Sequence, residues 1–473
     1  MPDCCRPGRW PGGPTRKFHD DTNVREIQTL TFRVAASAGG WPDHHSPALA
    51  ATESLTFKGS SCGPSPRTFH PRLPRRELAA SFSAFTRPFP PHPTMSPAPS
   101  TSGFTGAIAT RVVAGEGCVA ELGRLAAEIG GKHALLVTDA GVRKAGHAAR
   151  AQQALEAAGL RVTPYDRVAE NPTSDVVADC VGVARAAGID LIVGLGGGSS
   201  MDVAKGCNFV LTNGGRMEDY WGYGKATQPM LPLIAVPTTA GTGSECQCYA
   251  LICHAESHRK MACGDPKAAA RIALLDPLLT LTQPRAVAAA TGIDALAHAL
   301  ESAVATKRTA ISSRLSQEAF RLGSASLATV LTQPDDLAAR GAMQLGAAYA
   351  GAAIENSMLG AAHSAANSLT ARYGLVHGRA IGVMLPHVLR FNAEDPAIAA
   401  IYTGLAGRPA ADIAAQIDEL LRLADMPRTL REVGVPAADL PTLAQAATLE
   451  WTARFNPRPV TADDFIGLYR AAW

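Results

Sequence analysis

One carboxylate and three imidazoles in the second half of the chain place the strongest constraint on its fold. Asp294 and His298 are four residues apart in an Ala-rich and Leu-rich segment, so on a helix they share one face, one turn apart. His363 and His377 follow, fourteen positions apart. For all four to bind one divalent ion the chain must turn back near Tyr373-Gly374, because a straight helix of that length rises about 21 Å. Mixed nitrogen and oxygen ligands of this kind suit Fe(II) or Zn(II).

A glycine-rich turn follows the apolar segment Leu191–Gly196 and continues through Gly197, Gly198 and Ser199. A strand, a glycine turn and a helix N-terminus can bring backbone N–H groups close to a phosphate, because no Cβ obstructs the approach. The turn departs from the G-x-G-x-x-G fingerprint, and an ordinary tight connection would explain it as well. In the same way, a solvated helix face is the simpler alternative for Asp294 and His298.

Two further segments contain groups that could contact a nucleotide. The apolar stretch ending at Pro237 leads into a loop with Thr238, Thr239 and Thr242, whose hydroxyls could face a phosphate or a ribose, although a plain loop with a helix cap fits too. Asp139 ends another apolar stretch. An acid at that place can accept a hydrogen bond from a ribose 2′-hydroxyl and repel a 2′-phosphate; an ordinary helix cap is the alternative.

Taken together, these segments resemble the iron-containing (group III) alcohol dehydrogenase family. The similarity extends from about Gly106 to the C-terminus and keeps the glycine turn, the threonine loop and the four ligand positions in the family's order. It implies an α/β protein of the dehydroquinate synthase-like type. An N-terminal parallel-sheet nucleotide-binding domain would cover residues 104–283 and a C-terminal all-helical metal-binding domain residues 284–473, with metal and nicotinamide in the cleft between them.

The resemblance also assigns roles to individual positions. By position, Asp294, His298, His363 and His377 match the metal ligands, for Fe(II) with Zn(II) as an alternative. The positions that match cofactor contacts are Asp139, Asn171, Gly197, Gly198, Ser199, Thr238, Thr239, Thr242, Lys260 and Leu279. The acid at 139 favours NAD over NADP.

Asn367 departs from the family pattern. Many members have a second histidine four residues after the third ligand, where it helps to relay protons, and this chain has Asn367 there. An amide cannot act as an acid or a base near neutral pH, but it can hydrogen-bond a substrate oxygen. We therefore predict Asn367 and His377 as the catalytic positions, with the proton leaving through water, the ribose hydroxyls or another histidine such as His387.

The implied function is an NAD-dependent, iron-type alcohol dehydrogenase that interconverts a small primary or secondary alcohol and its aldehyde or ketone. A transhydrogenase working between hydroxy and oxo substrates is one alternative. A second alternative is a non-redox relative such as the cyclase dehydroquinate synthase. A third is a protein that binds NAD and metal without turnover. The small number of aromatic residues in the helical domain weakly favours a small or aliphatic substrate.

Composition limits the partners. A net charge of +3 gives no general attraction to nucleic acid or membranes, and no apolar run approaches the about 18 residues of a membrane span. The scattered cysteines, including Cys246, Cys248, Cys253 and Cys263, fit reduced thiols in a cytoplasmic enzyme better than a second metal site. The family suggests a homodimer or a larger homo-oligomer.

The first 94 residues differ from the rest. They are rich in Pro, Arg, Ser and His, so this segment can bury little apolar surface and is expected to be disordered, or to be a start-site artefact with translation beginning at Met95. Residues 104–283 alternate strands with helices, which predicts a mainly parallel sheet covered on both faces. Beyond Thr282 the spacing predicts helices only, with connections at Pro334 and Pro396.

Overall fold

The computed structural model describes residues 109–257 and 259–473. The predictions for residues 1–94 and Met95 lie outside the described residues. Within them the strands all precede residue 276, and long helices make up the rest. Pro284 caps the first of these long helices, so we propose the division between residues 283 and 284 as the domain boundary.

A six-stranded parallel sheet forms the centre of the first half, as predicted. Its strand order is β1-β9-β6-β4-β2-β3. The strands are β1 (Arg111–Ala114), β2 (His133–Asp139), β3 (Arg161–Val168), β4 (Leu191–Gly196), β6 (Leu233–Pro237) and β9 (Ile272–Leu275). The register pairs Gly196 with Pro237. The chain segments that follow β4 and β6 therefore leave the same edge of the sheet side by side.

Helices cover both faces of this sheet, which confirms the predicted α/β class. Successive strand residues point to opposite faces, so Leu135 packs with α4 (Ser174–Ala187) and α5 (Gly198–Asn213). Leu136 faces the other side, against α1 (Leu122–Glu128) and α3 (His147–Ala157). A short helix, α2 (Ala140–Lys144), follows β2 directly.

A second, three-stranded sheet was not predicted from the sequence. It has the order β5-β8-β7, with β5 (Gly222–Tyr223), β7 (Tyr249–Cys253) and β8 (Lys260–Gly264). Strands of two to five residues are too short for a clear alternating pattern. This small sheet carries Tyr249 and Lys260, which both line the cavities described below.

The second half is all-helical, as predicted. Its helices are α6 (Arg285–Val304), α7 (Ala310–Thr332), α8 (Leu337–Glu355), α9 (Ala361–Tyr373), α10 (His377–Asn392), α11 (Pro396–Ala406), α12 (Ala410–Leu423), α13 (Leu440–Leu449) and α14 (Ala462–Ala472). The sequence pattern missed α11 because Pro396 was read only as a connection. Proline fits the first position of a helix, whose N–H has no intrahelical partner. Among the described helices, none has the length and apolar character needed to cross a bilayer.

Close contact between α6 and α10 sets the position of the last predicted ligand. A Cβ built on Gly378 would lie 2.1 Å from the carbonyl oxygen of Ala290, so only glycine allows the two helices to approach this closely. The predicted turn at Tyr373-Gly374 is present, because α9 ends at Tyr373 and Gly374 has φ 64°. His377 therefore begins α10 beside the middle of α6.

Candidate functional site

Three helices bring the four predicted metal ligands together. Asp294 and His298 lie one turn apart on α6, His363 is near the start of α9, and His377 is the first residue of α10. Ligand atoms of Asp294, His298 and His363 lie within 4.8 Å of one another. The first three side chains are buried, while that of His377 retains 26% of its exposure, so the cluster opens to solvent on one side.

All three imidazoles point their Nε2 atoms at one oxygen, Oδ1 of Asp294. The distances are 3.5 Å from His298, 3.4 Å from His363 and 3.6 Å from His377. These values exceed hydrogen-bond length, and both Asp294 Oδ1 and His363 Nε2 are buried without a hydrogen-bond partner. Bonds of about 2.0–2.2 Å to one tetrahedral ion would place ligand atoms about 3.3–3.6 Å apart. The residues therefore fit a single Fe(II) or Zn(II) ion.

Glu301 holds His363 in this orientation, and the sequence analysis did not single it out. It lies on α6, seven residues after Asp294, and its side chain is 3% exposed. One carboxylate oxygen accepts a 2.5 Å hydrogen bond from Nδ1 of His363, and the other accepts one from the N–H of Ala362. A carboxylate on the far nitrogen fixes the ring and its tautomer, so that Nε2 faces the ligand cluster.

Burial and mutual charge shift the protonation of the cluster. Burial alone would raise the pKa of Asp294, but His298, His377 and His363 together hold it well below its ordinary value. Burial lowers the pKa of His298 and brings that of His377 to about 3. For His363 burial acts in the same direction, yet Glu301 and Asp294 raise its pKa to about 9. Neutral imidazoles at His298 and His377 leave nitrogen lone pairs for a cation.

The glycine turn and the metal-ligand cluster line one cavity. α5 begins at Gly198, and no side chain caps it, so its first N–H groups are available to an anion. A Cβ on Gly198 would lie 2.8 Å from the methyl carbon of Thr242. Glycine is therefore needed where the turn meets the threonine loop. Gly197, Gly198 and Ser199 all line the cavity, and their chemistry fits a pyrophosphate group.

The threonine loop lies beside this turn. The N–H of Thr238 donates to the carbonyl oxygen of Gly196 at 2.9 Å, which joins the ends of β4 and β6. Thr238, Thr239 and Thr242 line the cavity. The two loops thus form a continuous polar wall that could hold a dinucleotide.

Asp139 both caps a helix and faces the cavity, the two roles that its position in the sequence allows. Its Oδ1 accepts a hydrogen bond from the N–H of Val142 at 2.9 Å and caps α2. Its Oδ2 accepts one from the hydroxyl of Ser200 at 3.3 Å, and the side chain lines the cavity next to the glycine turn. Capping engages mainly one oxygen, so the carboxylate charge still faces the cavity.

The remaining predicted cofactor positions differ in their placement. Asn171 and Lys260 line the cavity, and Asn171 has a positive φ of 51°. Leu279 does not line it; its side chain is fully buried in the hydrophobic core beneath the sheet. Because its side chain is buried in the core, Leu279 contributes packing beneath the sheet and its side chain makes no contact with the cavity. His387 also lies outside the lining of this cavity and of the neighbouring second cavity.

Asn367 lies beside a second residue that the sequence analysis missed. Its amide Nδ2 donates to Oε2 of Glu450 at 3.2 Å, and both residues line the cavity together with His363 and His377. Burial raises the pKa of Glu450, against the lowering effects of the Asn367 hydrogen bond and of Arg259 and Lys260. A carboxyl group that titrates closer to neutral pH therefore stands next to the amide. No local pattern marks Glu450, because eighty-three residues separate it from Asn367.

Comparison with known proteins covers most of the described chain. The sequence model of iron-containing alcohol dehydrogenases matches residues 109–277. The model of the C-terminal part of the Fe-containing alcohol dehydrogenase family matches residues 288–473. The two matches meet near the proposed domain boundary.

Individual relatives align over almost their whole length. The NAD-dependent methanol dehydrogenase of Bacillus methanolicus is 34% identical over 370 residues, which cover 76% of this chain and 97% of that protein. Lactaldehyde reductase of Escherichia coli (strain K12) is 34% identical over 371 residues, with the same 76% and 97% coverage. The crystal structure of a 1,3-propanediol oxidoreductase superposes with a TM-score of 0.72 at 33% identity, covering 76% of this chain and 97% of that one.

The Glu301 contact predicts a specific loss of metal affinity. Glu301→Gln removes the charge that orients His363, so the affinity of the metal-free protein for Zn(II) should fall by about 10–100-fold, as measured by calorimetric titration. Glu318→Gln is the matched control, because Glu318 is an exposed partner of Arg321 on α7 and should leave the affinity unchanged. Equal Zn(II) affinity in Glu301→Gln and the unmutated protein would contradict the assigned role.

Proposed function

Because the chain belongs to the iron-containing alcohol dehydrogenase family, we propose that it interconverts a small primary or secondary alcohol with its aldehyde or ketone, using NAD(H) and one metal ion. The observation that carries this proposal is a single cavity of about 780 Å³. Its lining includes the glycine turn, the threonine loop and all four candidate metal ligands. A dinucleotide and an ion bound there would share one cavity.

The cofactor and the metal ion would supply the redox chemistry. A bound nicotinamide would supply the hydride chemistry, and Asp294, His298, His363 and His377 would hold Fe(II) or Zn(II), which would supply a Lewis acid for the substrate oxygen. Membership of the family favours Fe(II), and the same four ligands are also suitable for Zn(II). The protein contributes the positions of these groups and the charges around them.

Glu450 is our candidate for the proton transfer that Asn367 cannot perform. During alcohol oxidation the substrate hydroxyl loses a proton, and a carboxylate lining the cavity can accept it at Oε1 or Oε2, directly or through one water. The hydrogen bond from Asn367 holds this carboxylate in the cavity. In the reverse direction the protonated carboxyl returns the proton to the alkoxide oxygen of the product.

Other features stay predictions. The assembly into a homodimer or larger homo-oligomer comes from the family resemblance alone, and the cytoplasmic location comes from the cysteine content. The preference for NAD rests on the charge of Asp139 beside the glycine turn.

The central experiment measures NADH oxidation by the full-length chain. Protein stripped of metal and reloaded with Fe(II) or Zn(II) under nitrogen should oxidise NADH with small aldehydes or ketones, followed at 340 nm. His298→Ala should abolish this activity because it removes a ligand, whereas His254→Ala, at a residue that lines neither cavity, should retain it. Metal-independent oxidation, or none with any carbonyl despite NADH binding, would overturn the proposal.

The cofactor preference can be tested without disturbing the helix cap. Asp139→Asn keeps an oxygen that can accept the hydrogen bond from Val142 but removes the negative charge. We expect kcat/KM with NADPH to rise relative to NADH by about tenfold, the effect of about 1.4 kcal/mol. An unchanged ratio of the two kcat/KM values would show that Asp139 only caps the helix.

The proton-transfer role of Glu450 predicts a change in pH dependence. Oxidation needs the carboxylate form, so in the unmutated enzyme the rate should rise with pH through the raised pKa of Glu450. Glu450→Gln keeps an acceptor for Asn367 but should lower the rate by about 100-fold and remove this limb of the profile.

A second substitution provides the control. In the Glu450→Gln background, Asn367→His introduces a new base in the same part of the cavity and should recover part of the rate. A pH profile that is identical in Glu450→Gln and the unmutated enzyme would assign the proton to another group.

A further inference from the structure

Exposed apolar side chains are concentrated at the ligand cavities. In the described chain, the large hydrophobic residues with high exposure are Trp221, Tyr223, Val287, Val376 and Leu449. Val287 and Val376 line the cavity described above, and the other three line a second cavity. Exposed apolar surface that gathers in concave regions typically marks a binding site.

The second cavity lies next to the first. Its volume is about 1000 Å³, and residues that line both cavities include Tyr249, Lys260, Asn367, Glu450 and Trp451. A cavity of about 150 Å³ is already enough for a benzene ring. The second cavity is therefore much larger than a substrate of two or three carbons requires.

Five aromatic side chains line this second cavity. The lining contains Trp221, Tyr223, Tyr249, Trp451 and Phe455, in a chain with only 5% aromatic residues. Neighbouring ring centroids are 5.9 Å apart for Tyr223 and Tyr249, 5.9 Å for Tyr249 and Trp451, and 6.2 Å for Trp451 and Phe455. These spacings lie within the range in which aromatic rings attract one another. We call these five residues the aromatic wall.

Cations that line the same cavity contact two rings of the aromatic wall. The guanidinium of Arg259 lies 5.0 Å from the ring centroid of Trp221. Lys307 and Arg454 lie 5.0 Å and 4.7 Å from that of Phe455. Such contacts are attractive and favour the observed positions of these two rings.

The wall reaches the reacting groups through adjacent residues. Trp451 lies between Glu450 and Thr452, and all three line the first cavity with His363 and His377. A substrate whose oxygen lies at the metal-ligand cluster can therefore extend its other end along the aromatic wall.

We propose that the aromatic wall binds an aryl group attached to the reacting carbon chain, so that the enzyme favours aryl-substituted aldehydes and alcohols. This inference rests on the proposed function and names its substrate class. The expectation of a small substrate rested on the small number of aromatic residues in the helical domain, whereas the aromatic wall combines residues from both halves of the chain.

The first test compares propanal with 3-phenylpropanal, which have the same reacting end and differ by one phenyl group. With the metal-loaded full chain and NADH, kcat/KM should be higher for 3-phenylpropanal by about tenfold or more, since even one methylene in an apolar pocket is worth about that factor. Turnover of propanal with no preference for 3-phenylpropanal overturns this inference and leaves the dehydrogenase function intact. Turnover of neither, across the carbonyl panel as well, overturns the proposed function itself.

Two tryptophans provide a matched pair of variants. Trp451→Ala should lower the ratio of the two kcat/KM values by about tenfold. Trp473→Ala should leave the ratio unchanged, because Trp473 packs against Arg431 at the C-terminus and lines neither cavity. An equal ratio in Trp451→Ala and the unmutated enzyme would contradict the role of the wall.

A binding measurement complements the kinetics. Tryptophan fluorescence of the unmutated chain with NADH should change on titration with 3-phenylpropan-1-ol, which cannot react with the reduced cofactor. Tyr223→Ala, at a side chain that is 58% exposed and so contributes little to folding, should weaken this binding. Equal affinity for 3-phenylpropan-1-ol and 1-propanol in the unmutated chain would sink the proposal even if Trp451→Ala failed to fold.

Discussion

The approach of three imidazole nitrogens to one buried oxygen of Asp294 is the constraint on which the helical half depends. At 3.4–3.6 Å these atoms are too far apart to satisfy one another by hydrogen bonds, and a buried unsatisfied carboxylate is costly. A cation among them would remove that cost. α6, α9 and α10 must be held in register for this geometry, and Gly378 and Glu301 provide two of the contacts that do so.

The sheet contributes the other half of the cavity through its topology. Parallel strands place the turns after β2, β4 and β6 at one edge, where ligands of such sheets bind. Asp139, the glycine turn and the threonine loop therefore meet although they are distant in sequence. The small sheet adds Tyr249 and Lys260 between this edge and the helices, and the aromatic wall continues from there into the second cavity.

Much of this arrangement could be predicted from the sequence, for physical reasons that also explain the gaps. Strong local patterns, such as the apolar run before Gly196 and the four-residue spacing of Asp294 and His298, marked the strands, helices and candidate ligands. Glu301 lies one more turn along the same helix face, so its spacing could have revealed it. Glu450 and the aromatic wall could not be found in this way, because only tertiary packing brings their residues together. Leu279 was predicted from its family position, but its side chain does not line the cavity. A family position alone does not indicate whether a side chain reaches the cavity.

Anomalous diffraction from a crystal of the full-length chain loaded with Zn(II) would test the account most directly. The account predicts one peak per chain, equidistant from Asp294 Oδ1 and the Nε2 atoms of His298, His363 and His377 at about 2.0–2.2 Å. A strong peak elsewhere, or four ligand side chains that remain in place around no ion, would contradict it.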